Sequence, residues 1–178
     1  MAGRDFSIRG DFLPIPYFIL AAALVAGDQL VKFWVRANIP LHTHLDFLPG
    51  MDLTYVQNTG AAFSVLSEHT WLLTLTSLVM SVVLAAAVWK KFFAHPFGRA
   101  ALTLVLAGAI GNLIDRALRG FVVDMFHTLF MQFAVFNVAD ICVVVGGIAA
   151  AIYYIFFYDK LEPRGRKEAA HDQADQNG

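Results

Sequence analysis

Formal charge is scarce in this chain: Asp, Glu, Lys and Arg make up 15% of its 178 residues, against 58% hydrophobic residues and a mean hydropathy of +0.59. Soluble domains carry roughly 25% charged and about 45–50% apolar residues, so too little polar surface is present to cover a water-soluble globule. An integral membrane protein is expected. Cysteine is almost absent, and Cys142 alone excludes an intramolecular disulfide framework or a thiolate metal cluster. Neither sign of charge dominates: thirteen Lys and Arg against fourteen Asp and Glu leave a net charge of −1. That removes the global basic field by which a protein grips nucleic acid, so nucleic acid is not an expected partner. No phosphate-cradling glycine loop, nucleophile-elbow signature or internal repeat is visible.

What is present is a set of four apolar stretches near the ~20 residues needed to cross the hydrocarbon core. They run from about residue 15 to 34, 69 to 89, 98 to 118 and 135 to 158. The second is the cleanest, bracketed by Trp71 and Trp89, which suit the aromatic belts of the two interfaces. The first resembles a cleavable signal peptide in its basic start and its Ala21-Ala22-Ala23 run, but Pro14 and Pro16 interrupt it and the apolar stretch continues past Asp28. An uncleaved helix is expected. Lys and Arg collect before span one (Arg4, Arg9), between spans two and three (Lys90, Lys91, Arg99) and after span four (Lys160, Arg164, Arg166, Lys167). By the positive-inside tendency these segments and both termini face the cytoplasm. The outer side then receives residues 37–68, which have no Lys or Arg, and the segment from about 119 to 134. The fold class expected is an all-α membrane protein of four transmembrane helices, with a small extracytoplasmic β or amphipathic platform between helices 1 and 2. Leu53-Thr54-Tyr55-Val56 is β-prone, Asn58-Thr59-Gly60 signals a turn, and Phe47, Leu48 and Met51 are placed to dip into the bilayer. Residues 1–160 read as one domain, and residues 161–178 as a disordered cytoplasmic tail.

Three of the four spans hold ionisable groups, each of which needs a partner or a cavity. Asp28 and Lys32 form an i,i+4 pair whose structural reading is self-satisfaction at a helix end, with Lys32 snorkelling outward. Asn112 stands three and four positions before Asp115 and Arg116, sharing a face with both. For Arg116 a clamp to a carboxylate on another helix and a substrate anchor are equally open readings. Gly108 and Gly111, like Gly146 and Gly147, read as close-packing positions. Asp124 lies in an apolar stretch, and Asp140 follows Asn137 by three positions, putting both polar groups on one helical face. An outer excursion between them is long enough to bring the two carboxylates to one depth. Two such groups in a low-dielectric site share a proton and can activate a water between an acid and a base. The alternative is that each aspartate separately caps a helix or pairs with Arg116. His42, His44 and Asp46 are weak as a metal site and read as a surface turn. A Ser-His-Asp set drawn from Ser64 or Ser67 with His69 or His127 lacks a supporting motif. Cys142 reads as a buried, inert thiol.

Five blocks, Asp28-Gln-Leu-Val-Lys32, Gln57-Asn-Thr-Gly-Ala-Ala-Phe63, Gly108-Ala-Ile-Gly-Asn-Leu-Ile-Asp-Arg116, Gly120-Phe-Val-Val-Asp-Met-Phe126 and Phe136-Asn-Val-Ala-Asp140, together resemble the lipoprotein signal peptidase (signal peptidase II) family. The resemblance implies a membrane-embedded aspartic endopeptidase. Its substrate would be a diacylglyceryl-modified bacterial prolipoprotein, cut on the N-terminal side of the lipidated cysteine. It implies Asp124 and Asp140 as the catalytic pair, and Asp28, Asn58, Asn112, Arg116 and Asn137 as site support and substrate contacts. Lys32, Gly60, Gly108 and Asp115 are expected to be structural. No cofactor and no metal is expected, membrane lipid is the other partner, and a monomer in the bacterial inner membrane with its site near the periplasmic face is implied. Two readings from other classes stay open on the residues alone: a proton relay or small transporter through Asp28, Asp115, Asp124 and Asp140, and a structural adaptor whose charges only hold helices together.

Overall fold

The computed structural model describes residues 13–60 and 70–161. The tail from 162, the basic residues Arg4 and Arg9, and Ser64, Ser67 and His69 lie outside the described residues. Helix α1 (Ile15–Asn38) is followed by strands β1 (His44–Leu48) and β2 (Met51–Asn58), helices α2 (Thr70–Trp89) and α3 (Pro96–Arg119), strand β3 (Val122–Thr128) and helix α4 (Val138–Ile152). A π-helical turn (Tyr153–Phe157) and a short helix α5 (Tyr158–Leu161) extend α4. Four helices are long and apolar enough to cross a membrane: Ile15–Asn38, Trp71–Trp89, Pro96–Arg119 and Val138–Leu161. They overlap the four apolar stretches seen in the sequence. The protein is a multi-pass membrane protein, mostly helical, carrying a small open sheet.

Local chemistry sets the helix ends. Pro14 and Pro16, which interrupt the apolar run in sequence, start α1 instead: Pro14 is its N-cap and a proline occupies the first turn, where a missing N–H costs nothing. Helix α3 starts from His95, whose ring accepts from Phe97 N, and stops at Gly120, whose φ of 77° is the left-handed cap that glycine adopts without strain. Arg116 and Arg119 in its last turn complement the helix dipole.

Helix α3 is the hub, packing on α1, α2 and α4. Lipid tails are as apolar as leucine, so helices associate in a bilayer through close backbone approach and polar contacts. A Cβ on Gly108 would lie 2.3 Å from the Ala139 carbonyl oxygen, and one on Gly111 would lie 2.7 Å from Asp28 Oδ2. Gly146 is similarly tight against α3, with Ala101 O at 2.8 Å, but Gly147 faces open space and is not a packing position. We therefore expect Gly108→Ala to force α3 from α4 and cost about 1–3 kcal/mol, as overpacking does. Gly147→Ala should stay within about 0.5 kcal/mol. Thermal unfolding in detergent checks both, and equal stability of the two variants would contradict the packing.

The sheet is antiparallel with order β1-β2-β3. The expected platform between helices 1 and 2 is thus a hairpin, but its third strand comes from the segment after α3, which the sequence had suggested only as an excursion. A cluster of Val35 and Ile39 from the end of α1 with Tyr55, Val123 and Met125 seats the sheet on the bundle. Phe47 and Leu48 are exposed as expected, whereas Met51 is half-buried.

Candidate functional site

The sheet and the charged cluster of Asp28, Lys32, Asp115, Asp124 and Asp140 gather at one end, where α1 and α3 finish and α4 begins; buried Arg99 and Thr103 lie in the first third of α3. Asp28 lies ten residues before the end of α1, about 15 Å at 1.5 Å per residue, and Asp140 lies in the first turn of α4. At the base, Lys32 is fully buried, 2.8 Å from Asp28 Oδ2 and 3.2 Å from Asp115 Oδ2, and it donates to Asn112 Oδ1 at 3.1 Å. The i,i+4 pair therefore forms, but Lys32 does not snorkel: it points inward because two carboxylates and an amide oxygen await it there. Asp28 Oδ1 also accepts from Ala139 N at 2.9 Å, fixing α1 to the start of α4. Asp115 accepts from Val123 N at 3.0 Å and pairs with Arg119, which ties α3 to β3. Gln29, quoted in the sequence only as part of a block, bridges Asp28, the Gly111 carbonyl and Asp115 through one amide nitrogen.

Above this base stand Asp124 and Asp140. Asp124 is on β3, opposite Val56 of β2, and 1% exposed. Its Oδ1 accepts from Asn137 Nδ2 at 2.6 Å and its Oδ2 from Asn58 Nδ2 at 2.8 Å. Asn58 is held by Gly60, whose N–H donates to Asn58 Oδ1 at 2.8 Å from a backbone with φ of 99°. Asp140 accepts from Asn112 Nδ2 at 2.8 Å and from Asn137 N at 3.1 Å, while Asp140 N donates to Asn137 Oδ1 at 2.9 Å. Asn137 is thus the N-cap of α4, in extended conformation, and the pair closes a capping box. The three-residue spacing comes from that box and not from two side chains on one helical face. Strand β3 and the approach to α4 are stitched by Phe126 N donating to Phe136 O at 2.8 Å and Phe136 N donating to Phe126 O at 3.1 Å. This brings Asn137 beside Asp124, so one residue donates to both carboxylates, from its side-chain amide to Asp124 and from its backbone N–H to Asp140.

Burial is the main cause that pushes the Asp124 carboxyl up to about 6 from an ordinary 3.8; the charge of Asp140 adds to it, and the Asn58 and Asn137 amides oppose it. Asp124 therefore binds its proton more tightly folded than unfolded. Its contribution to stability is complete below pH 3.8 and is lost as pH rises through about 6. The loss amounts to about 3 kcal/mol between those limits. We expect the unfolding temperature of the native chain to fall over that window relative to Asp124→Asn. Parallel pH profiles for the two would contradict the shift.

Arg116 donates to Ser77 Oγ on α2 at 3.3 Å and lies within the field of Asp140, Asp124 and Asp115. Three cations, Lys32, Arg116 and Arg119, thus face four carboxylates, Asp28, Asp115, Asp124 and Asp140, one acid more than there are bases. Asp28, Lys32, Asn58, Gly60, Asn112, Asp115, Arg116, Asp124, Asn137 and Asp140 fall in this one region, with Gly108 at the adjoining α3–α4 contact. The four carboxylates form a cluster at one end and not a ladder through the membrane, which removes the geometry a relay requires. His42 and Asp46 form no cluster with His44; its neighbours are Asp52 and His127, on the other two strands. Cys142 is buried, as expected.

The family described as Signal peptidase (SPase) II matches residues 20–157, which include all five sequence blocks. The lipoprotein signal peptidase of Enterococcus faecalis is 42% identical over 157 residues, covering 88% of this chain and 94% of its own. That of Clostridioides difficile is 38% identical over 145 residues, covering 81% and 97%. A solved bacterial membrane enzyme superposes with a TM-score of 0.73 at 28% identity, covering 80% of this chain and 94% of that one. With the family matched over most of its length and the same membrane architecture around its polar end, the chain belongs to the signal peptidase II family of membrane proteases.

Proposed function

We propose that the chain removes signal peptides from diacylglyceryl-modified prolipoproteins, cutting on the N-terminal side of the lipidated cysteine, with Asp124 and Asp140 as an aspartic dyad. The observation that carries this reading is that Asn137 donates to both carboxylates, through its side chain to Asp124 and through its backbone N–H to Asp140, above a base whose own charges are already paired. Asp124, buried and pushed up to about 6, supplies the proton that polarises the scissile carbonyl and then leaves with the amine. Asp140, half-buried, takes a proton from the attacking water. Asn58, Asn112 and Asn137 orient the pair, and Arg116, facing both, is placed to contact substrate backbone. Lys32 and Arg119 neutralise Asp28 and Asp115 beneath the dyad.

The distribution of Lys and Arg puts both termini in the cytoplasm, and therefore the sheet and the dyad at the periplasmic face of the inner membrane. Water reaches a peptide there, while acyl chains remain in the bilayer. Exposed Phe47 and Leu48 on β1, with Leu129, Phe130, Met131 and Phe133 after β3, give the sheet an apolar rim suited to lipid. A single chain supplies every member of the site, so a monomer suffices. The test is cleavage by the purified chain in mixed micelles, with products identified by mass spectrometry. We expect cleavage before the modified cysteine and little on the unlipidated precursor. Equal cleavage of both, or cleavage elsewhere, contradicts the proposal.

A further inference from the structure

The outer sheet carries a cluster that the proteolytic reading does not use. His44 on β1, Asp52 on β2 and His127 on β3 have ligating atoms that all lie within 4.8 Å of one another. Asp52 stands directly opposite His127 in the β2–β3 ladder. His44 stands opposite Thr54, two residues along from Asp52 and so on the same face. His44 Nδ1 is 3.7 Å from Asp52 Oδ2, and the two imidazoles meet edge to face with centroids 5.1 Å apart. A second observation points to a missing occupant. His127 Nδ1 is buried without a hydrogen-bond partner among the described residues, and so is Oγ1 of Thr54, whose exposure is 0%. Buried polar atoms are normally satisfied, and two unsatisfied ones beside two further donors mark a place where something binds.

We propose that His44, Asp52 and His127 bind a divalent transition metal of the zinc type, stapling the three strands together. Two imidazole nitrogens and one carboxylate oxygen are the donor set that borderline ions prefer, whereas calcium and magnesium require more oxygen. Tetrahedral zinc, with bonds of about 2.0–2.2 Å, sets its ligand atoms about 3.3 Å apart. The 3.7 Å separation already approaches this, and His44, with 51% of its side chain exposed, is free to turn inward. A fourth position is left for water or the Thr54 hydroxyl. His127 is three residues from Asp124 along β3, about 10 Å at 3.3 Å per residue. The ion therefore takes no part in hydrolysis; it holds the strand that presents Asp124. Nothing in this site depends on which peptide bond the protein cleaves.

The experiment uses the full chain, purified in detergent without a polyhistidine tag and stripped with chelator. Zn²⁺ is titrated by calorimetry, and Co²⁺ serves as a spectroscopic substitute. We expect one saturable equivalent per chain, a tetrahedral Co²⁺ spectrum, and a Zn²⁺-dependent rise in unfolding temperature. His44→Gln and Asp52→Asn should each weaken binding at least about tenfold, the loss that even a supporting residue of a metal site causes. His42→Gln, outside the cluster, should bind as the native chain does. Both ligand variants alter partly exposed side chains, and their metal-free unfolding temperature shows whether the sheet has formed. Absence of saturable Zn²⁺ binding, a Co²⁺ spectrum without tetrahedral character, or binding that survives both variants overturns the proposal.

Discussion

Replacing either Asp124 or Asp140 by Asn is expected to lower cleavage of a lipidated prolipoprotein by about 10³-fold or more, because each substitution removes a general acid or base worth 10²–10⁴ on its own. The two losses should not add. An acid and a base that serve one tetrahedral intermediate act as a unit, so the double variant should be little worse than either single one. Asn keeps the size of the side chain and one acceptor oxygen, so one of the two N–H groups that donate to each carboxylate keeps its partner. Folding is therefore expected to survive, and unfolding in detergent separates a dead site from a lost structure. Near-normal turnover by either variant, measured by release of the signal peptide, would remove that residue from the dyad. Asn137→Ala provides a graded companion: it breaks the link between the carboxylates and half of the α4 cap while leaving both carboxylates in place.

The second large effect is expected at the base of the site and falls on stability. Lys32→Met removes the one cation shared by Asp28 and Asp115, both buried. Losing one partner of a buried ion pair costs about 3–5 kcal/mol, because the remaining charge has neither water nor counterion. Asp115 keeps Arg119, so the penalty concentrates on Asp28. Adding Asp28→Asn to Lys32→Met should therefore recover part of the loss, and Lys32→Met alone should unfold well below the native chain. If the single variant matched native stability, the pairing beneath the dyad would have no structural weight.

How much of this was legible in advance depends on the range of the contact. The Asp28–Lys32 pair is local, and a spacing of four on a helix announces it. Four apolar stretches near the thickness of a bilayer announce the bundle, and the scarcity of charge within them makes each remaining carboxylate conspicuous. The depth of Lys32 was not legible, because Asp115, which turns it inward, lies on another helix. Nor was β3: Val122–Thr128 has β-prone residues, but its partner β2 precedes two helices, and periodicity carries no information about such a neighbour. The Asn137–Asp140 spacing is ambiguous in sequence, since a capping box and a shared helical face both place polar residues three apart, and only the extended backbone of Asn137 decides for the box. His42, His44 and Asp46 read as one surface turn, whereas the neighbours of His44 lie across the sheet, on strands that local sequence does not bring together.

The hydrogen bonds of the site also dictate an order of events during synthesis. Asn58 and Asp124 are 66 residues apart in the chain, and Asp28 and Ala139 are 111 apart. The first bond can close once β3 has emerged, but the second must wait for the beginning of α4, and with it for Asn137, which donates to both carboxylates. A nascent chain holding three helices carries Asp124 but not Asp140, and it holds a partly paired charge cluster without the cap that completes it. With Asp124 and Asp140 as the proposed dyad, insertion of the last helix is the step that completes the site, so a chain still lacking α4 is expected to have no means of cutting its neighbours.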